Sequence, residues 1–555
     1  MLKKIFGADQ SRIFLISILI LATFLRLFEL DHVPPELFGD ELDVGYQAFS
    51  LWQTGRSYMD QKFPLYFQSL NEWRTPLLMY TVAPAVGILG LNEWGVRLVP
   101  ALLGVLNIFQ IYLLVLKLTQ NRRLALLSAL VGVIIPWHIH YSRAAFESTL
   151  LLSLVLAGAI AFLGKKWFWS AVFFALSFYT YNTANIFVPL LILGMGWLLF
   201  SKTDWLNKKA IAGGFLLIVL CLPLFWTILR GEGATRFRSI NIFNDPKAID
   251  AIVFKRTTGE GAFERVFHNK LTAWGKGLLN NYLTSFSFQF LFINGDPNPR
   301  HNVPGFGEIY WGFLPFLFAG AFLLLKSKEE RMKKTVFLWL FLAPLPSALT
   351  LEGGNHATRL FLMIPPLVIL IAYGINSLCR SSRSLALFMA IFLIFTSFWF
   401  HEYFVHYPKE QSRYWHSGYK EAFTWLKDNQ AAYSRVILNN EHDPILLRYL
   451  FWTRKDTSWL RENYHGDTSQ KNVLPGFNGF KVGSVFLGGI AGQAKGEWLQ
   501  KNLDEQTIFL AFQKDEVPGD WDWQKSPPTG IRVLKVVKDA FSGEPYIYLL
   551  TKDIR

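Results

Sequence analysis

The chain is nearly free of cysteine: Cys221 and Cys379 are the only two in 555 residues. Both lie in or at the end of apolar runs. That argues against a disulfide framework or a cysteine metal cluster and leaves them as small buried hydrophobes. Charge is also scarce, at 17% of residues where a soluble domain carries about a quarter. Internal repeats and low-complexity segments are lacking. No small-residue cleavage site follows the first apolar run, 13–30. That run, preceded by Lys3 and Lys4, is expected to be a retained signal anchor.

What is abundant is apolar (52%) and aromatic (16%). The apolar residues cluster in runs near bilayer length, roughly 17–25 residues. The expected fold class is therefore mostly α, a polytopic helical membrane bundle. The net charge of +14 does not imply nucleic acid, because basic residues bunch in short loops between apolar runs, the positive-inside pattern. These loops are 3–12, 117–123, 165–166, 202–209, 326–334 and 380–383. If all are cytoplasmic, an even number of spans must separate each neighbouring pair.

Eleven runs meet that condition: 12–30, 95–117, 123–139, 145–163, 167–184, 186–200, 210–229, 308–325, 334–350, 359–378 and 384–401. Two shorter stretches, 76–91 and 277–292, are expected as interfacial or re-entrant helices on the external side. If they cross, the total is thirteen. The expected domains are a membrane module over 1–403, with long external loops at 31–94 and 230–307, and an external α/β domain over 404–555. Strand patterns fall at 435–439, 482–488, 507–511, 531–537 and 546–551, and helical ones at 419–428 and 444–452.

Several polar groups gather on the side opposite the basic loops. Asp40 and Glu41 follow the first span. Asp40 is a good N-cap for a helix in which Leu42, Tyr46, Phe49 and Trp52 share a face and Gly55 is the stop. A carboxylate at the lipid boundary can also take a proton from an acceptor hydroxyl or amine, and the two roles are compatible. Arg26 and Glu29, three apart, suit a local ion pair or snorkelling. Arg74, just before Pro76, suits a phosphate at headgroup level or ordinary interfacial anchoring.

His138 and His140 are two apart, weak spacing for zinc. Arg143 and Glu147 are four apart, as on one helical face, and a carboxylate at a span end calls for a partner or a cavity. Tyr181 and Asn182 offer neutral hydrogen bonding suited to sugar hydroxyls, or form an aromatic turn. Asp296 and His301 lie in a Pro/Gly-rich loop with the character of a substrate loop. His356 and Arg359 follow a glycine pair, a possible phosphate cradle.

The order of these segments over about residues 12–400 resembles the GT-C class of membrane glycosyltransferases. It is similar to the branch holding protein O-mannosyltransferases and the lipid A aminoarabinose transferase. The carriers are Asp40-Glu41, Arg74-Thr75-Pro76-Leu77, Arg97-Leu98, Arg143 with Glu147, and His356 with Arg359. The resemblance implies a polyprenyl-phosphate-linked sugar donor, an external active site in the cell membrane, and inverting displacement at the anomeric carbon. It implies Asp40 as general base, supported by Glu41, with Glu147 the third catalytic candidate. Arg74 stands where the aminoarabinose branch has lysine, and Glu147 where that branch often has aspartate. It implies that Arg74 contacts the donor phosphate and that His356 and Arg359 help to hold it; Arg143, Tyr181, Asn182, Asp296 and His301, marked by their own placement, complete the candidate binding set.

The acceptor could be glycan, lipid or protein. The chemistry demands no metal; a divalent ion is possible but not indicated. A lipid-linked sugar flippase or a non-catalytic sugar-binding scaffold are the alternatives. Gathering of the polar groups on one face, rather than at mid-membrane, favours the transferase.

Overall fold

The computed structural model describes residues 8–70, 72–231, 240–259, 263–440, 445–466, 470–491, 495–512 and 522–553. Lys3, Lys4, Asn71 and Pro444 lie outside them. Every one of the eleven expected runs contains helix. Among the described residues five helices are long and apolar enough to cross a membrane: Asp9–Leu27, Glu93–Thr119, Lys208–Leu229, Ala357–Leu378 and Arg383–Glu410. A sixth candidate is the pair α5 (Arg122–Ile134) and α6 (Pro136–Ser142), bent by 64°. Pro136 causes the bend, since it cannot donate to the preceding turn. Preceding them are α1 (Ala8–Leu27), α2 (Gly39–Thr54), α3 (Leu77–Leu89) and α4 (Glu93–Thr119); α7 (Glu147–Leu163) follows. The stretch expected to be interfacial at 76–91 is α3, whose 13 residues span only about 20 Å.

The chain divides into two compact units. One comprises Met1–Phe28, Glu72–Leu78 and Val99–Tyr403. In it Leu314–Lys326 packs against Ile364–Leu378 through two glycines. A Cβ on Gly320 would lie 1.9 Å from the Leu370 carbonyl oxygen, and one on Gly374 would lie 2.0 Å from that of Phe316. Small residues at such a crossing let backbones approach where lipid supplies no hydrophobic drive.

The other unit comprises Glu29–Asn71, Met79–Leu98 and Phe404–Arg555. Helix α2 therefore belongs with the C-terminal α/β part. Its Gly45 is packed so closely that a Cβ would lie 2.6 Å from the Phe451 ring. A seven-stranded sheet is built from β1 (Arg435–Asn439), β2 (Gln470–Leu474), β3 (Phe477–Val482), β4 (Val485–Ile490), β5 (Thr507–Phe512), β6 (Ile531–Lys538) and β7 (Pro545–Lys552). The order is β2-β3-β4-β1-β5-β7-β6, with β1 parallel to β4 and β5 and the outer pairs antiparallel.

Strand β5 is buried along its whole length, as a sheet covered on both faces requires. Phe509 packs on Trp498 of Lys495–Asn502, while Phe512, of opposite strand parity, packs on Tyr419 of Tyr419–Asn429. The strand expected over 482–488 is divided: Val482 ends β3, Gly483 turns at φ +58°, and Val485 opens β4.

Candidate active site

In the second unit the acidic pair is carried by α2. The helix begins at Gly39 with Phe38 as N-cap, so Asp40 is not the cap. Glu41, at the third helical position, reaches back to this cap residue, its Oε2 accepting the Phe38 N–H at 3.4 Å. Residues 41–48 are buried on every side rather than along one face, and Trp52 is half exposed. Gly55 ends the helix as expected, at φ +66°.

Glu41 is fully buried and meets fully buried Arg97 in a two-point pair, Nε to Oε1 at 2.9 Å and Nη2 to Oε2 at 2.8 Å. Arg97 also donates from Nη1 to the carbonyls of Leu30 (3.2 Å) and Pro34 (2.8 Å), and from Nη2 to that of Pro35 (2.9 Å). One guanidinium thus holds both the helix start and the loop before it. Further along, Tyr58 donates to Asp43 Oδ1 at 2.6 Å, Gln47 donates to Gln68 O at 3.0 Å, and Tyr46 donates to Lys455 O at 3.1 Å. Asp40 stands half-buried at the head of this anchored helix.

In the first unit Arg74 and Glu147 come together. Arg74 is 5% exposed, pairs with Glu72, and lies 3.6 Å from Glu147 Oε1. The turn carrying Tyr181 and Asn182 docks on the same segment, with Leu77 N donating to Tyr179 O at 3.0 Å and Thr75 bonded to Thr180 O. Arg143 and Glu147 do not share a helix. Arg143 caps the end of α6, three residues intervene, and Glu147 opens α7. Fully buried Arg143 instead donates to Leu25 O (2.8 Å) and Phe28 O (2.7 Å) at the C-terminal end of α1, a favourable place for a cation. Arg26 is likewise buried and contacts His138 Nδ1 at 2.6 Å. Helix α1 ends at Leu27, so Glu29 is not on Arg26's face.

A second cluster in this unit gathers Asp296, His301 and His356. His301 Nδ1 lies 3.0 Å, and His356 Nδ1 3.9 Å, from Asp296 Oδ2. Burial alone would raise the Asp296 pKa; the hydrogen bond and charge of His301, with the charge of His356, outweigh it and hold the carboxyl below its usual range. His140 contacts Arg300 O through Nε2 at 2.7 Å, and Tyr141 bonds Thr358 Oγ1 at 2.9 Å, so α6 backs both loops. Phe146, next to Glu147, meets the His301 ring at 5.8 Å between centroids.

The expected phosphate cradle is differently engaged. The Ala357 N–H donates to Asp296 Oδ2 at 2.8 Å, and Arg359 Nη1 donates to Thr350 Oγ1 at 2.6 Å and Leu351 O at 3.0 Å. Glu72 as a partner of Arg74, and Arg97 as that of Glu41, were missed among the site residues. The usable signal was a charge inside or beside an apolar run, which must find a partner.

The sequence profile of the dolichyl-phosphate-mannose-protein mannosyltransferase family matches residues 74–227. That stretch contains Arg74, Arg143, Glu147, Tyr181 and Asn182. Among solved structures, ArnT from Cupriavidus metallidurans bound to undecaprenyl phosphate superposes with a TM-score of 0.55 at 12% identity, covering 98% of each chain. The archaeal oligosaccharyltransferase AglB from Archaeoglobus fulgidus, in complex with an inhibitory peptide and a dolichol-phosphate, gives a TM-score of 0.48 at 14% identity. That match covers 80% of this chain and 63% of AglB, so the chain spans less than two thirds of that protein's length. No curated protein matches the sequence. End to end the chain shares the fold of ArnT, and over residues 74–227 it is similar to the dolichyl-phosphate-mannose-protein mannosyltransferase family.

Proposed function

We propose that the protein moves a sugar from a polyprenyl-phosphate donor to an extracytoplasmic acceptor by inverting displacement. The observation that carries this reading is the fold shared over 98% of both chains with ArnT, a protein solved with undecaprenyl phosphate. The paired Arg74 and Glu147, inside the segment matched by the mannosyltransferase family, support it. An acceptor hydroxyl or amine attacks the anomeric carbon as the bond to the lipid phosphate oxygen breaks. Its proton passes to the Asp40 carboxylate, and the bonding electrons leave with the phosphate.

Arg74 neutralises the departing anion, with Glu147 and Glu72 setting the guanidinium's position. Glu41 supports Asp40 by tying the helix start to Arg97. Arg143 holds the turn before Glu147. Tyr181, Asn182, Asp296, His301, His356 and Arg359 serve substrate binding. The positive-inside pattern supports a site and a 404–555 domain on the non-cytoplasmic face of the cell membrane.

The test is transfer from a panel of radiolabelled polyprenyl-phosphate sugars by purified protein in vesicles. Asp40→Asn is expected to lose at least about 100-fold in turnover while donor binding is kept, and Arg74→Ala to weaken donor binding. Turnover in Asp40→Asn equal to wild type removes Asp40 as base. Failure of every donor in the panel removes the reading itself.

A further inference from the structure

Asp296, His301 and His356 each offer one ligating atom within 4.8 Å of the others. The two imidazoles lie 5.0 Å apart between centroids and are inclined by 31°. The carboxylate sits at the base, with its side chain 4% exposed, and the imidazoles at the mouth, 16% and 24% exposed. Backbone groups fix the carboxylate: Asn298 N–H donates to Oδ1 and Ala357 N–H to Oδ2, each at 2.8 Å. The Asp296 N–H in turn donates to buried Glu308 Oε1 at 3.0 Å. The loop is cinched by Asn302 Nδ2, 2.6 Å from both Asn294 O and Phe306 O.

We propose that Asp296, His301 and His356 bind a divalent transition-metal ion of the zinc class. One carboxylate and two imidazoles suit zinc, whereas calcium and magnesium take oxygen ligands. Zinc–ligand bonds of about 2.0–2.2 Å in tetrahedral array put the ligating atoms about 3.3 Å apart. The partly exposed imidazoles can swing inward by that difference, and the clamped carboxylate need not move. The ion takes the place of the proton between His301 and Asp296, which is released to solvent. Direct anion binding fits this cluster less well. A buried carboxylate at the base repels an anion, while the nearby Ala357 N–H and the Arg359 guanidinium are engaged by protein acceptors. Three protein ligands leave one coordination position for water or an anionic oxygen. The inference refines the substrate-binding role given to this cluster, and metal binding is read without turnover, so its failure leaves the transfer reaction standing.

The test uses full-length, tag-free protein in detergent, stripped with a chelator and titrated with zinc chloride. Wild type and His268→Ala are expected to take up one zinc per chain. Even losing an outer partner costs about 10–100-fold in affinity, so His301→Ala and His356→Ala should each bind at least about tenfold more weakly. The four-coordinate cobalt(II) absorption of wild type should vanish in the double variant. X-ray absorption of zinc-loaded wild type, expected to report two imidazole ligands, keeps the test independent of how the variants fold. No zinc uptake by wild type, a coordination shell without imidazole, or wild-type affinity in the double variant would each overturn the proposal.

Discussion

At the residue scale, Glu41 and Arg97 show how a buried charge pair is made tolerable. Each carboxylate oxygen has its own guanidinium N–H, and the remaining donors end on backbone carbonyls. Breaking such a pair leaves an uncompensated buried charge, at a cost of about 3–5 kcal/mol. Glu41→Ala and Arg97→Ala are each expected to lose that much stability in denaturant unfolding of the detergent-solubilised protein. A loss under about 1 kcal/mol, the range of an exposed pair, would contradict it. Asp40 and Glu41 were recognisable as neighbours in sequence, but Arg97 is 56 positions on, and periodicity says nothing about such pairing. Arg74 with Glu147 has the same character: each was suspect alone, and folding made them partners.

At the element scale, the expected helices are present because apolar runs of this length have few other ways to satisfy their backbone in lipid. The departures occur where a single residue redirects the chain. Pro136 bends α5 from α6, and Arg143 to Phe146 separate two helices that i, i+4 spacing would merge. The hairpin of β2 and β3 was missed, although Pro475-Gly476, with Gly476 at φ +67°, is a turn signal. The glycine crossing predicts that Gly374→Ala forces Leu314–Lys326 and Ile364–Leu378 apart, with an overpacking cost of about 1–3 kcal/mol. An unchanged thermal midpoint would argue against it.

The turn after β6 carries a pH-dependent contribution. Burial would raise the Asp539 pKa, but donors from Ser542 N, Ser542 Oγ and Ser412 Oγ, with the Arg413 charge, lower it below its ordinary value. A depressed carboxyl pKa adds stability above the unfolded value of about 3.9, and that stability is lost as pH falls through the folded value. Thermal midpoints measured from pH 7 downward should therefore fall more steeply for wild type than for Asp539→Asn, which cannot ionise. Parallel curves would show that Asp539 contributes none of the acid limb.

At the scale of the whole molecule, charge bias predicts sidedness. With native Cys221 and Cys379 buried, Gln120→Cys should react with an impermeant maleimide only from the cytoplasmic side, and Lys427→Cys only from the opposite one. Labelling of both from one side would overturn the orientation. The amino-acid sequence by itself determined that the chain is a helical membrane bundle with a C-terminal α/β part, because both follow from local periodicity and run length. It also marked the polar residues that belong to no lipid-facing surface. Tertiary structure alone decided how those residues are used. It grouped α2 with the C-terminal sheet, paired Glu41 with Arg97, set Arg74 against Glu147, and drew His301 and His356 onto Asp296. Each of these is a contact between distant positions, and the energy of a buried polar contact depends on geometry that no local pattern encodes.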